Sequence, residues 1–359
     1  MLKKLDKYII KTFLTTFLVT LGLFSIIIIV FDIGEKLDDF LTNKAPLKEI
    51  IFQYYFNFIP QIMNMFSPIF VFVSVIFFTS KMAQRTEIVA MLASGISYLR
   101  FLRPYIITAM LLGIATFFLN GWIIPHADKK RAEFENKYTR NMLHSRSGIH
   151  RQIRPDMFLS IDWFSQYDSS GTNITLEQYQ DGQLLSKTYA RRISYNYEAN
   201  KWQLQDVFSR TYNKDGSQTI NSYNTLDTAI LFDPSDFFLR IEDLQTFDNN
   251  ELNNIIQAEL ERGSENVYLY TTEKYRRMAS PFSTFILTII GVCVSSKKSR
   301  GGIGVNLGIG IGLSFGFLFI VQFFNSYGAT GLISAPLAVT IPNILYLGVA
   351  WILYRKVQK

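Results

Sequence analysis

Long apolar stretches fall in two groups of three around a polar middle, and this pattern constrains the chain more than anything else in it. A hydrocarbon core about 30 Å thick needs roughly 20 helical residues to cross it. Residues 9–31, 54–79, 101–124, 275–294, 303–324 and 335–354 each meet that length. In lipid, backbone N–H and C=O groups have no water to turn to, so each stretch is expected as a helix and not a strand. Pro60, Pro68 and Pro281 fall inside these runs and are expected to bend them. The mean hydropathy of +0.14 is too low for a chain lying wholly in lipid and fits a sizeable polar insert.

The 36 Lys and Arg residues outnumber 29 Asp and Glu, for a net charge of +7. Position argues against nucleic acid as the partner, because these cations flank the apolar runs. Lys3, Lys4, Lys7, Lys11, Lys81, Arg85, Arg100, Arg103, Lys297, Lys298, Arg300, Arg355, Lys356 and Lys359 all belong to one side of the membrane. On the other side, the first loop sets Asp32, Glu35, Asp38, Asp39 and Glu49 against Lys36, Lys44 and Lys48, and the loop 326–334 is uncharged. By the positive-inside rule both termini are expected in the cytoplasm and residues 126–262 outside it. No small-residue cleavage site follows Val30, so residues 9–31 are expected as a retained anchor. Cys293 is the only cysteine, which excludes an intramolecular disulfide.

From about Gly148 the hydrophobic period changes to two. Residues 157–163, 173–180, 184–197, 202–211 and 218–225 are expected as strands. Asp181-Gly182, Lys214-Asp215-Gly216 and Glu198-Ala199-Asn200-Lys201 are expected as turns between strands. Such a meander suggests a sandwich or jelly roll. Asp248-Asn249-Asn250-Glu251 then opens a helix that stops near Gly263. The fold class is therefore an α-helical membrane protein with six transmembrane helices plus an inserted periplasmic β-jellyroll-like domain. Its expected parts are helices one to three (1–125, with a short cytoplasmic helix near 82–95), the β-rich domain (126–262), and helices four to six (263–359).

Read as a helix, residues 82–94 put Ile88, Met91 and Leu92 on one side and Arg85 and Glu87 elsewhere, with Gly95 as the stop. An amphipathic element of this kind suits a groove on a partner. Gly301, Gly302, Gly304, Gly308, Gly310, Gly312 and Gly316 lie in an apolar run with no strand before it, so they are no dinucleotide loop. At helical spacing they let two helices approach closely. His126, His144 and His150 match no zinc spacing. Ser67, Ser74, Ser283 and Ser314 lie in spans that hold no histidine to act as their base, which argues against an intramembrane hydrolase. No G-x-x-x-x-G-K-[ST] sequence is present, so any ATP belongs to a partner and no cofactor is expected on this chain.

Several segments together resemble the LptF/LptG permeases of the lipopolysaccharide exporter. These are Leu5-Asp6-Lys7-Tyr8-Ile9 with Lys11-Thr12; Met82-Ala83-Gln84-Arg85-Thr86-Glu87-Ile88-Val89-Ala90-Met91 with Ala93-Ser94-Gly95; and Trp122 with Pro125. Glu273, Arg276, Arg277 and Pro281, and then Ser314-Phe315-Gly316-Phe317, continue the likeness over nearly the whole chain. The resemblance implies a pair of paralogous permease subunits on a cytoplasmic ABC ATPase dimer, which extract lipopolysaccharide and pass it to periplasmic bridge proteins. It also implies that Arg85, Glu87, Ile88 and Met91 form the contact with the ATPase. Gly308, Gly312 and Gly316 then belong to a gate helix. Lipopolysaccharide carries phosphates, and Lys36, Arg276 and Arg277 are the cations expected near its level. Some family members carry a basic residue where this chain has Asp32. The competing reading is a non-transporting scaffold or sensor with a periplasmic β-domain.

Overall fold

The computed structural model describes residues 3–139, 145–165, 167–197, 199, 201–213, 216–228, 234, 241–298 and 301–358. His144, Glu198, Asn200, Lys214, Asp215, Arg300 and Lys359, used above, lie outside the described residues. The chain divides into two compact units, residues 1–139 with 245–250 and 268–359, and residues 140–244 with 251–267.

Among the described residues, the first unit holds six helices long and apolar enough to cross a membrane. These are α1 (Lys4–Thr42), α2 (Leu47–Gln84), α4 (Tyr98–Tyr138), α6 (Asn266–Ser295), α7 (Gly302–Ala329) and α8 (Ala335–Gln358), with a short α3 (Glu87–Ala93) after α2. Most outrun the lipid. The 39 residues of α1 reach roughly 58 Å at 1.5 Å per residue. Its polar extension keeps a buried stripe at helical spacing, Asp32 and Phe40 with Lys36 between them, so packing continues where hydrophobicity ends. Residues 82–84 were expected in the short helix, but they continue α2, and α3 starts only at Glu87. Thr86, at φ +61°, makes the break.

Three apolar clusters hold this unit. One joins Ile9, Phe13, Phe70, Phe78, Ile88, Phe101 and Tyr105 at the end that carries both termini. A second joins Phe72 and Ile76 of α2 to Ile286, Leu287, Phe317 and Tyr346 of the last three helices. A third, Phe40, Tyr54, Tyr55, Phe134 and Tyr138, closes the opposite end. Coverage is uneven. In the most apolar window, 56% of α2 and of α6 is buried but only 11% of α1 and 17% of α7. The chain itself thus leaves most of α1 and α7 uncovered.

The second unit is a six-stranded antiparallel sheet in the order β1 (Ser145–Arg154), β2 (Met157–Ser165), β3 (Ser170–Gln180), β4 (Gln183–Asn196), β5 (Lys201–Tyr212), β6 (Gln218–Thr228). A helix α5 (Asn249–Arg262) follows, with Asp248 Oδ1 accepting from the Asn250 N–H at 2.8 Å and Gly263 at φ +70° ending it. The in–out alternation skips at one level on four strands. Ile161, Ile174, Ala190 and Val207 form one buried row, and Phe164, Gly171, Ile193 and Leu204 form the next. Two residues separate these rows instead of the one a regular pleat gives. Between the rows, Asn173 and Asp206 sit at φ +52° and +53°, which Asn and Asp tolerate best among residues with a Cβ. Both halves of the sheet therefore turn apolar side chains to one interior. A Cβ on Gly171 would come within 2.9 Å of both Ile161 Cγ2 and Phe164 Cδ2, so the crowding at this crease requires glycine.

Candidate functional site

The end of the helical unit that carries the termini is built around α3. Gly95, at φ +85°, closes that helix with its N–H on the Leu92 carbonyl at 3.1 Å and the Ile96 N–H on Met91 at 3.3 Å. That pair of bonds is the Schellman stop. The four residues assigned to partner contact divide between two faces. Ile88 is 1% exposed inside the apolar cluster and Met91 packs against the same cluster. Arg85 is well exposed, as are Val89, which was not among the expected contacts, and Leu92, which was expected on the same side as Ile88 and Met91. Glu87 is half-way between, held by the Tyr8 hydroxyl at 3.5 Å and by Arg85 at 3.9 Å. The start of α4 ties the rest of this end together. Arg100 donates to both carboxylate oxygens of Asp6 at 2.7 and 2.8 Å, and the Tyr98 hydroxyl meets Ser296 at 3.3 Å. Lys297 reaches the Lys356 carbonyl at 2.8 Å.

The opposite end carries the three cations expected to meet lipid phosphates. Lys36 does not stand alone. It donates to the Tyr54 hydroxyl and lies 3.4 Å from Asp32 and 3.5 Å from Glu135. A π-helical turn, Ile50–Tyr55, lets two consecutive tyrosines face the same carboxylate, Tyr54 on Asp32 Oδ1 at 2.9 Å and Tyr55 on Oδ2 at 3.0 Å. Asp32, where some family members carry a base, is thus a buried acceptor that organises α1 against α2. Arg131, beside Asp128 and Glu135, extends this cluster and donates to Gln61, which in turn meets Gln245. Arg276 and Arg277 converge on one acid, Glu273, Arg276 through two bonds of 2.7 and 2.8 Å and Arg277 through one of 2.9 Å. Arg277 also holds the Phe247 carbonyl at 2.8 Å. Nothing in the sequence marked Tyr54, Tyr55, Glu135, Gln245 or Phe247 as neighbours of these cations, because most of their partners lie far along the chain.

On α7, the three glycines expected to pack do not behave alike. A Cβ on Gly308 or Gly312 would meet nothing within 4 Å, as would one on Gly304, whereas on Gly316 it would lie 3.0 Å from the Tyr346 hydroxyl of α8. Tight contacts inside the chain are at Gly310, where a Cβ would come within 2.2 Å of Ile76 Cδ1 of α2, and at Gly328, where it would come within 2.7 Å of Ala338 Cβ of α8. His126 meets the Trp122 carbonyl on α4, and His150 meets Ser160 between β1 and β2.

Six membrane-crossing helices interrupted by a six-stranded sheet define a multi-pass membrane protein with an inserted β-domain. No curated protein matches the chain. The family model described as lipopolysaccharide export system permease LptF/LptG matches residues 7–356, and the chain belongs to that family. It is accordingly a lipopolysaccharide export permease of the inner membrane, a transporter subunit.

Proposed function

We propose that this permease is one half of a paralogous pair, driven from the cytoplasm by an ABC-type ATPase dimer that docks on α3. The observation that carries this reading is the division of α3 into an anchored and an exposed face. Ile88 and Met91 seat the helix in the bundle, and Arg85, Glu87, Val89 and Leu92 are left for the motor. A seated helix transmits a push, whereas a loose loop absorbs it. ATP is bound by the motor, and this chain carries no cofactor of its own. The clustering of Lys and Arg at the end that holds Asp6, Glu87, Lys297 and Lys356 supports placing that end, with both termini, in the cytoplasm.

The uncovered faces of α1 and α7 are the walls through which lipid enters, closed by the second permease subunit. Gly304, Gly308 and Gly312, four residues apart with open space before them, let that subunit's helix approach closely. Of the three candidate cations, Arg276 has the most exposed side chain, at 38% against 22% for Lys36 and 6% for Arg277. Arg276 is therefore the group presented to lipid phosphate, while Lys36 and Arg277 shape the site around it. The sheet interior receives the acyl chains, and the edge strands β1 and β6 offer backbone to the bridge proteins. A photoreactive residue at Glu87 or Val89, irradiated in cells, should trap a nucleotide-binding protein of the ABC class. Failure to trap one at either position would favour the scaffold reading.

A further inference from the structure

We propose that the Asp6–Arg100 ion pair is the positioning link that carries movement of α3 into α1. The inference rests on the motor-docking reading above. Asp6 is 1% exposed, and three directed bonds hold it: two from Arg100 at 2.7 and 2.8 Å, and one from the Lys3 N–H at 2.9 Å. Arg100 lies seven residues beyond the end of α3, in the first turn of α4, where the Ser97 Oγ caps its N–H at 3.3 Å. The path from α3 to Arg100 is therefore the Schellman stop followed by a capped helix start, with little slack in it.

The receiving element is α1, and its attachment to the chain is sparse. It buries Asp6, Ile9, Phe13 and Phe17 at one end and Asp32 and Phe40 at the other, with no buried residue between Phe17 and Asp32. Such a helix is held firmly at its two ends and only lightly between them, by the Ser74 hydroxyl on Thr20 at 3.4 Å, Phe24 against Phe70, and Ser25 on Met63 at 3.2 Å. At the α3 end, the apolar contacts of Ile9 and Phe13 are non-directional and slide. The weaker Tyr8–Glu87 contact spans 3.5 Å between exposed groups. Among the described contacts of Asp6, Tyr8, Ile9 and Phe13, the two parallel bonds of Arg100 fix direction as well as distance. With the Arg100 side chain 27% exposed, the pair is only half-buried and partly solvated, so it is a modest source of stability. What the pair supplies is registry between α1 and the α3–α4 turn.

The test uses the whole assembly, both permease subunits with the ATPase and the bridge, in proteoliposomes loaded with lipopolysaccharide. The quantity read is lipid released per ATP hydrolysed. Asp6→Asn and Arg100→Gln should each lower that ratio about tenfold with ATPase rate and assembly within about twofold of wild type, and Asp6→Glu should restore it. The double variant Asp6→Leu/Arg100→Met should keep its melting temperature and still uncouple. A wild-type ratio in Asp6→Asn would overturn the link, as would parallel loss of ATPase, assembly and release in every variant, which is the signature of a purely structural pair. A wild-type assembly that releases no lipid would instead sink the transport reading, and the link with it.

Discussion

Glu273 shows how much depends on one side chain. It is 9% exposed and neutralises two arginines, one of them buried, so Glu273→Gln removes the carboxylate that Arg276 and Arg277 share. Breaking a buried pair from one side costs about 3–5 kcal/mol, so the variant should melt well below wild type in detergent. Ile88 and Val89 separate seating from docking. Ile88→Ala removes a fully packed side chain and should cost about 2–5 kcal/mol of stability. Val89→Ala, at 60% exposure, should change stability by less than about 0.5 kcal/mol while weakening ATPase co-purification. In the β-domain, the Lys187 ammonium holds Glu177 below the usual carboxylate range, and the Ser170 hydroxyl does the same for Asp168. Both folded values are depressed, so their stabilisation is present above the unfolded carboxylate range near pH 4 and fades as pH falls through the folded values. Melting of the sheet, followed by tryptophan fluorescence, should be flat from pH 7 to about 5 and drop below about 4. The charges of this site were legible in the sequence, but their partners were not. Lys36 invites a lipid phosphate until Tyr54 and Glu135, 18 and 99 residues away, are brought beside it.

Among the elements, α7 gives the sharpest contrast. Gly310→Leu would drive a side chain into Ile76 and Phe72, so the chain should accumulate poorly. Gly308→Leu and Gly312→Leu project into open space, so the isolated chain should keep its melting temperature while lipid release by the assembled transporter falls. Equal behaviour of all three in a melting assay would show that the open face is not open. Length and apolarity located all six spanning helices, yet their ends were set short, at 54–79 for Leu47–Gln84 and at 275–294 for Asn266–Ser295. Outside the lipid, polar residues carry the helices on, and what holds them is packing such as Phe40 on Phe134, which no hydropathy window detects. Strand β1 was missed for a related reason. Ser145–Arg154 buries only Ile149 and Ile153 among its described side chains, so the change of period near Gly148 rests on too few apolar positions to define a strand there.

For the molecule as a whole, sidedness can be tested directly. Alkaline phosphatase fused in the β5–β6 connection should be active and a fluorescent protein at the C-terminus should glow, since each folds on only one side of the inner membrane. The reverse pattern would overturn the cytoplasmic motor. The plan of three helices, sheet and three helices also has a consequence in time. The buried face of α2 is completed by Ile286, Leu287, Phe317 and Tyr346, and its buried Ser80 by Asn306, residues that leave the ribosome only after the whole β-domain. At about 5–20 residues per second, the 226 residues between Ser80 and its partner take roughly 11–45 s to appear. Throughout that interval the newborn first half presents an unfinished surface to lipid. A chain truncated ahead of α6 should therefore be degraded quickly, and an insertion chaperone should be found crosslinked to α2 and not to the outward face of α1.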